Sequence, residues 1–229
     1  MQHLTMKELP ESERPYDKFL KIGEGGLSDA ELLAVILRSG SAGRTALQLA
    51  QDVLRGEQGN LLNLNRFTVE ELLEIPGIGQ VKAIQMKCIA ELAKRISATA
   101  YRKNLQANEP GTIAAYYMEQ LRHETKEKLM AAMFDARNRF LGDEVISVGT
   151  VNASLVSPRE IYLKALKCQA VNVIILHNHP SGEAKPSDED IRVTLRVAEC
   201  GRMLGINLAD HIIIGDNSYT SLREKGILN

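Results

Sequence analysis

The chain has no tryptophan and only four phenylalanines among its 229 residues. That poverty excludes a broad aromatic platform on which single-stranded bases could stack. It has three cysteines, Cys88, Cys168 and Cys200, scattered and without a Cys-x-x-Cys pair. A disulfide scaffold and an all-cysteine zinc site are thereby excluded, and a reducing compartment is expected. No run approaches the roughly 18 apolar residues that span a bilayer, and Met1 to Pro10 has no apolar core. The expectation is a soluble, cytoplasmic protein with no membrane partner. Charge of one sign is also missing, with 28 Lys and Arg against 29 Asp and Glu and a net charge of -1. Wholesale wrapping of nucleic acid is excluded, although a local basic patch is not.

What is present is ordinary globular material, 44% hydrophobic and 25% charged in 25.3 kDa, enough for one or two domains. Two grammars divide it. Residues 1 to 98 read as helical: Ser28 stands three positions before Glu31 and opens the apolar run Leu32, Leu33, Val35, Ile36 and Leu37. Ser39 to Gly43 and Gly56 to Asn60 break the pattern, and Thr45 to Leu54 carries it between them. Two further helices flank Pro76-Gly77-Ile78-Gly79, the second running from about Gln80 to Ile96. After Pro110, short apolar runs alternate with helical stretches. These are Leu129 to Phe134, Phe140-Leu141 with Val145 to Val148, Val171 to Leu176, Ile206 to Leu208 and His211 to Ile214. Gly142-Asp143 is expected to interrupt the second of them. The fold class is therefore α/β (α+β), a central sheet covered by helices at 105–229, preceded by an all-α domain at 1–104.

Glu74 to Ala83 has the form of a helix-hairpin-helix turn. Gly77 and Gly79 supply tight backbone and leave amides exposed at the start of the next helix, where a phosphate oxygen fits, and Lys82 adds a point charge. This predicts weak contact with the DNA backbone and no readout of sequence. The competing account is a plain turn with Ile75, Ile78 and Val81 buried. The first 104 residues hold 14 basic and 13 acidic side chains, which argues against strong phosphate binding.

His177-Asn178-His179-Pro180-Ser181-Gly182 directly follows the strongest strand, and Asp190 comes eleven positions after His179 on a helix that Ser187 is placed to cap. Two imidazoles and a carboxylate form an open catalytic set for one Zn2+ per chain, with the fourth position left for water. The His-x-Glu and Pro-Cys-x-x-Cys pair of a zinc deaminase is absent, and so is a His-Glu-x-x-His helix.

His177, His179, Ser187 and Asp190 match the spacing of the JAMM (MPN+) metalloprotease motif. With Ser147 to Asn152, Ser157 to Ile161 and Asp210 to Gly215, they make the chain resemble the bacterial RadC (UPF0758) family over nearly its whole length. The resemblance implies a JAMM/MPN-like sheet sandwiched by helices, deaminase-like in outline, behind a helix-hairpin-helix region. It also implies a zinc-dependent peptidase or isopeptidase acting on a protein or peptide. The family pattern puts the general base at Glu127, with Glu124 one helical turn away as its rival. Ser187 would donate to the oxyanion of a tetrahedral intermediate. Asp210 and His211 either orient a ligand or satisfy one another at the sheet edge. Two other readings stay open. One is a zinc hydrolase of a non-peptide substrate, and the other is a DNA-associated repair or scaffolding protein with a structural or vestigial metal site.

Overall fold

The computed structural model describes residues 14–41, 43–55, 60–102, 105–149 and 156–228, without the side chains of 100 and 102. Of the break expected at Gly56 to Asn60, residues 56–59 lie outside the described residues, and so do residues 150–152 of the stretch Ser147 to Asn152. The chain divides into two compact units, Met1–Ala93 and Lys94–Asn229. No described helix is long and apolar enough to cross a membrane.

The first unit is all-α. It contains α1 (Pro15–Ile22), α2 (Asp29–Leu37), α3 (Ala46–Leu54), α4 (Asn63–Arg66), α5 (Val69–Glu74) and the first part of α6 (Gln80–Arg102). Three of these helices start on reciprocal capping boxes, Ser28 with Glu31, Thr45 with Gln48 and Thr68 with Glu71. Each box satisfies two amides that helix geometry leaves orphaned. Leu33, Leu37, Leu49, Val53, Leu72 and Met86 close a common core. α6 continues past Ile96 because two alanines and an arginine stand among its last six residues, with no glycine or proline to stop it.

In the second unit, α7 (Pro110–Leu121) precedes β1 (Glu127–Phe134) and β2 (Phe140–Gly149). They are followed by α8 (Pro158–Lys167), β3 (Asn172–Asn178), α9 (Asp188–Leu204), β4 (Asn207–Ile214) and β5 (Tyr219–Ser221). The sheet order is β2-β1-β3-β4-β5, with β3 and β4 parallel and the other pairs antiparallel. This is the mixed sheet flanked by helices that the sequence predicts. Strand alternation sorts the side chains cleanly. Leu129, Ala131, Met133, Val173 and Ile175 pack with α8 and α9, through Ile161, Val193 and Val197. Met130, Ala132, Phe134, Ile174 and Leu176 pack with α7, through Ile113, Tyr117 and Leu121.

Two expectations are corrected. Gly142-Asp143 does not interrupt β2: both residues pair with β1, and the extra residues are taken up by register shifts at Leu129/Met130 and Met133/Phe134. Residues 207–208 and 211–214 are likewise joined as one strand, β4, through a register shift described below, with Ile206 just ahead of it. Each face of the sheet has its own buried cluster within the second unit, so residues 94–229 expressed alone should unfold in one cooperative thermal transition. A broad, non-cooperative melt of that fragment would show that its core needs the first unit.

Candidate metal centre

The centre forms where β3 leaves the sheet. β3 is buried on both faces along nearly its full length, and His177 continues the series Val173, Ile175 toward α9. The chain then holds to β4 for one more residue, the His179 amide donating to the Ile214 carbonyl at 3.0 Å. It turns at Gly182 (φ +83°), whose carbonyl accepts from the Asp216 amide at 2.8 Å. Opposite, α9 opens on a capping box in which the Asp190 amide donates to Ser187 Oγ at 3.2 Å. The Ser187 amide and hydroxyl both donate to Asp190 Oδ2, at 2.7 and 2.6 Å. Asp190 stands one turn into the helix and is 2% exposed.

His177, His179 and Asp190 converge. His177 Nε2 lies 2.9 Å from His179 Nε2 and 3.1 Å from Asp190 Oδ1, and His179 Nε2 lies 3.5 Å from Asp190 Oδ2. Ligands at about 2.0–2.2 Å from a tetrahedral zinc stand roughly 3.3–3.6 Å apart, so these three donors need only small shifts to receive an ion. His179 Nδ1 donates to the Glu183 carbonyl at 2.8 Å, and in the neutral ring this leaves Nε2 as a lone pair facing His177. Burial opposes charge on Asp190, yet its close contacts with His177 and His179 hold its carboxyl far below the usual range. The same contact with Asp190 raises the pKa of His179. A buried anion and two imidazole nitrogens at such separations are a donor set suited to a cation. Among the described residues this is the group of His, Cys, Asp or Glu that could hold a metal. His179, Ser181, Glu183, Lys185, Ser187 and Asp188 line a cleft of about 450 Å³ beside it.

Glu127 is the first residue of β1 and pairs with Gly149. Leu129 pairs with His177, so two residues back along the antiparallel register Glu127 lies level with His179, on the α9 face. Its charge is among those that raise the pKa of His179. Glu124 is drawn elsewhere. It pairs at 3.6 Å with Lys128, which alternation turns to the other face. Buried Asn178 secures this entry to β1: its Nδ2 donates to the carbonyls of Glu124 and Lys126 at 3.3 and 3.2 Å, and its Oδ1 accepts from the Lys128 amide at 2.9 Å.

Asp210 and His211 do not satisfy one another through their side chains. Asp210 Oδ2 accepts from the Ser221 hydroxyl at 2.6 Å, and Oδ1 accepts from the amides of His211 and Arg223 at 2.7 and 3.0 Å. The His211 ring points the opposite way, with Nε2 2.8 Å from His177 Nδ1 and Nδ1 2.6 Å from Thr194 Oγ1. A register shift makes this possible: Val173 pairs with Leu208 but Ile174 with Asp210, so Ala209 is the extra residue and His211 comes opposite Ile175 on the α9 face. Regular alternation from Leu208 would have turned His211 away. Burial and the neighbouring His177 hold the His211 pKa well below the usual histidine value. Thr194 escapes the sequence reading, although it lies four residues after Asp190 on the same helix face.

In the first unit, Gly77 (φ +96°) is pressed against its neighbours, since a Cβ there would come within 2.3 Å of Ser41 Oγ and 2.8 Å of Leu49 Cδ2. Gly79 faces open space. Lys82 turns back on the hairpin and donates to the carbonyls of Gly40 and Gly77 at 2.9 and 3.3 Å. Ile78 is buried, whereas Val81 is 71% exposed.

Residues 107–227 match the family described as RadC-like JAB domain, and residues 6–84 match the one described as UPF0758 N-terminal. The chain is 41% identical over 226 residues to a UPF0758 protein of Clostridium botulinum (strain Okra / Type B1), covering 99% of each chain. It is 42% identical over 228 residues to one of Alkaliphilus metalliredigens, covering 99% of this chain and 98% of that one. Against one of Geobacillus thermodenitrificans the identity is 43% over 221 residues, covering 96% and 97%. With both halves matched and relatives aligned nearly end to end, this chain belongs to the UPF0758 (RadC) family.

Proposed function

We propose that the second unit is a zinc-dependent hydrolase that cleaves an amide bond in a peptide or isopeptide. The observation that carries this reading is the convergence of His177, His179 and Asp190 with their donor atoms 2.9–3.5 Å apart, on the sheet face that also bears Glu127. Two imidazoles and one carboxylate suit Zn2+ and leave a coordination position open. Bound there, Zn2+ would supply Lewis-acid polarisation of a carbonyl and would acidify a water.

The chain's own residues divide the remaining work. Glu127 takes a proton from the attacking water and returns it to the leaving amine. Asp190 stays anionic in its contacts with His177 and His179, and the Ser187 hydroxyl donates to Oδ2 of that carboxylate. The same Ser187 hydroxyl is the proposed donor to the developing oxyanion, a task it takes up by leaving Oδ2. The cleft at His179, Lys185 and Asp188 receives the substrate chain. A cytoplasmic setting is supported by three free cysteines. The open face at Gly79 supports weak, sequence-indifferent DNA contact through backbone amides, with Lys82 serving the hairpin itself.

Purified protein should take up one Zn2+ per chain, measured by metal analysis after dialysis, and H179A should lose most of it. Retention of stoichiometric zinc by H179A would remove the residue from the site. On an arrayed peptide library, E127Q should keep its zinc and lose at least about 10²-fold in rate, while E124Q stays near wild type. An inactive E124Q beside an active E127Q would move the base by one turn. Full activity in both would overturn the mechanism.

A further inference from the structure

We propose that Thr194 and His211 form a one-way hydrogen-bond relay that decides which nitrogen of His177 is left bare for the metal. The proposal rests on the metal reading above and adds two positioning residues to it. The relay starts at a group that can only accept, the backbone carbonyl of Asp190. Thr194 Oγ1 lies 2.5 Å from that carbonyl oxygen, so the hydroxyl proton points there. Thr194 Oγ1 then meets His211 Nδ1 at 2.6 Å with a lone pair, and the hydrogen between them belongs to His211. A neutral imidazole has one N–H, so His211 Nε2 is an acceptor toward His177 Nδ1 at 2.8 Å. His177 must then carry its proton on Nδ1, and Nε2 faces His179 and Asp190 as a lone pair.

The opposite polarity fails at the first link, because it would set the Thr194 oxygen against the Asp190 carbonyl with no hydrogen between them. Thr194 and His211 are both fully buried, and Asp210 makes its bonds on the other side of β4. The extra residue at Ala209 turns His211 to this face. The hydroxyl that a helix commonly uses for back-bonding to residue i−4 therefore has a second bond, and the second bond carries the information. Ligating histidines are generally held in their tautomer by the partner of their other nitrogen. Here that partner is a second imidazole, itself fixed by a threonine on the helix that contributes Asp190.

The test uses the full chain, wild type against T194V and T194S. Valine keeps the shape and removes the hydroxyl, and serine restores it. Imidazole 15N shifts in metal-free wild-type protein should show both His177 and His211 protonated at Nδ1. T194V should release the His211 proton toward Nε2 and weaken Zn2+ binding by about 10- to 100-fold, with T194S close to wild type. A wild-type His177 protonated at Nε2 would overturn the relay without reference to any variant. So would a T194V protein that binds Zn2+ as tightly as wild type, or one that loses affinity with both tautomers unchanged. If wild-type protein binds no Zn2+, the metal reading falls, while the metal-free tautomers still decide the relay.

Discussion

The two-residue period of β3 is the constraint on which the rest of the second unit depends. Adjacent residues of a strand face opposite ways, and β3 is buried on both faces. Its apolar residues therefore alternate between the α9 core and the α7 core, and the strand cannot slip by one without inverting both. His177 and Asn178 end that strict alternation. One face receives an imidazole toward Asp190, and the other receives an amide that fixes the backbone on which Glu127 begins β1. Ligand and proposed base are thus positioned by the packing that stabilises the sheet.

Buried polar groups at the strand end are costly unless each is hydrogen-bonded, and here the bonds have direction. The His179 ring donates to the Glu183 carbonyl, Ser187 donates to Asp190, and Thr194 donates to the Asp190 carbonyl. None of these donations places a hydrogen on either of the two Nε2 atoms that face the Asp190 carboxylate. The outer bonds leave a negative carboxylate and imidazole nitrogens facing one another, an arrangement that a cation would relieve.

Much of this was legible in the sequence for identifiable reasons. β3 was readable because β-branched residues are dense there, α2 because Ser28 and Glu31 bracket its first turn, and the three ligands because histidines are scarce and two stand at one strand end. α1 and α4 escaped because one is short and largely exposed and the other is a single turn held by tertiary contacts, Asn63 donating to the Leu54 carbonyl. β2 reads as broken because Gly142-Asp143 looks like a turn, and β4 reads as two runs because Ala209-Asp210 parts its larger apolar residues, whereas paired strands absorb extra residues as register shifts. The orientation of His211 was beyond a sequence reading for the same reason. A single bulged residue decides its face, and bulges depend on the partner strand.

The central claim is that His177, His179 and Asp190 hold one zinc ion, and X-ray absorption on zinc-loaded protein tests it most directly. The account predicts a nitrogen and oxygen shell at about 2.0–2.2 Å, containing two imidazoles and no sulfur. A zinc–sulfur distance near 2.3 Å, or a shell with no imidazole scattering, would contradict it.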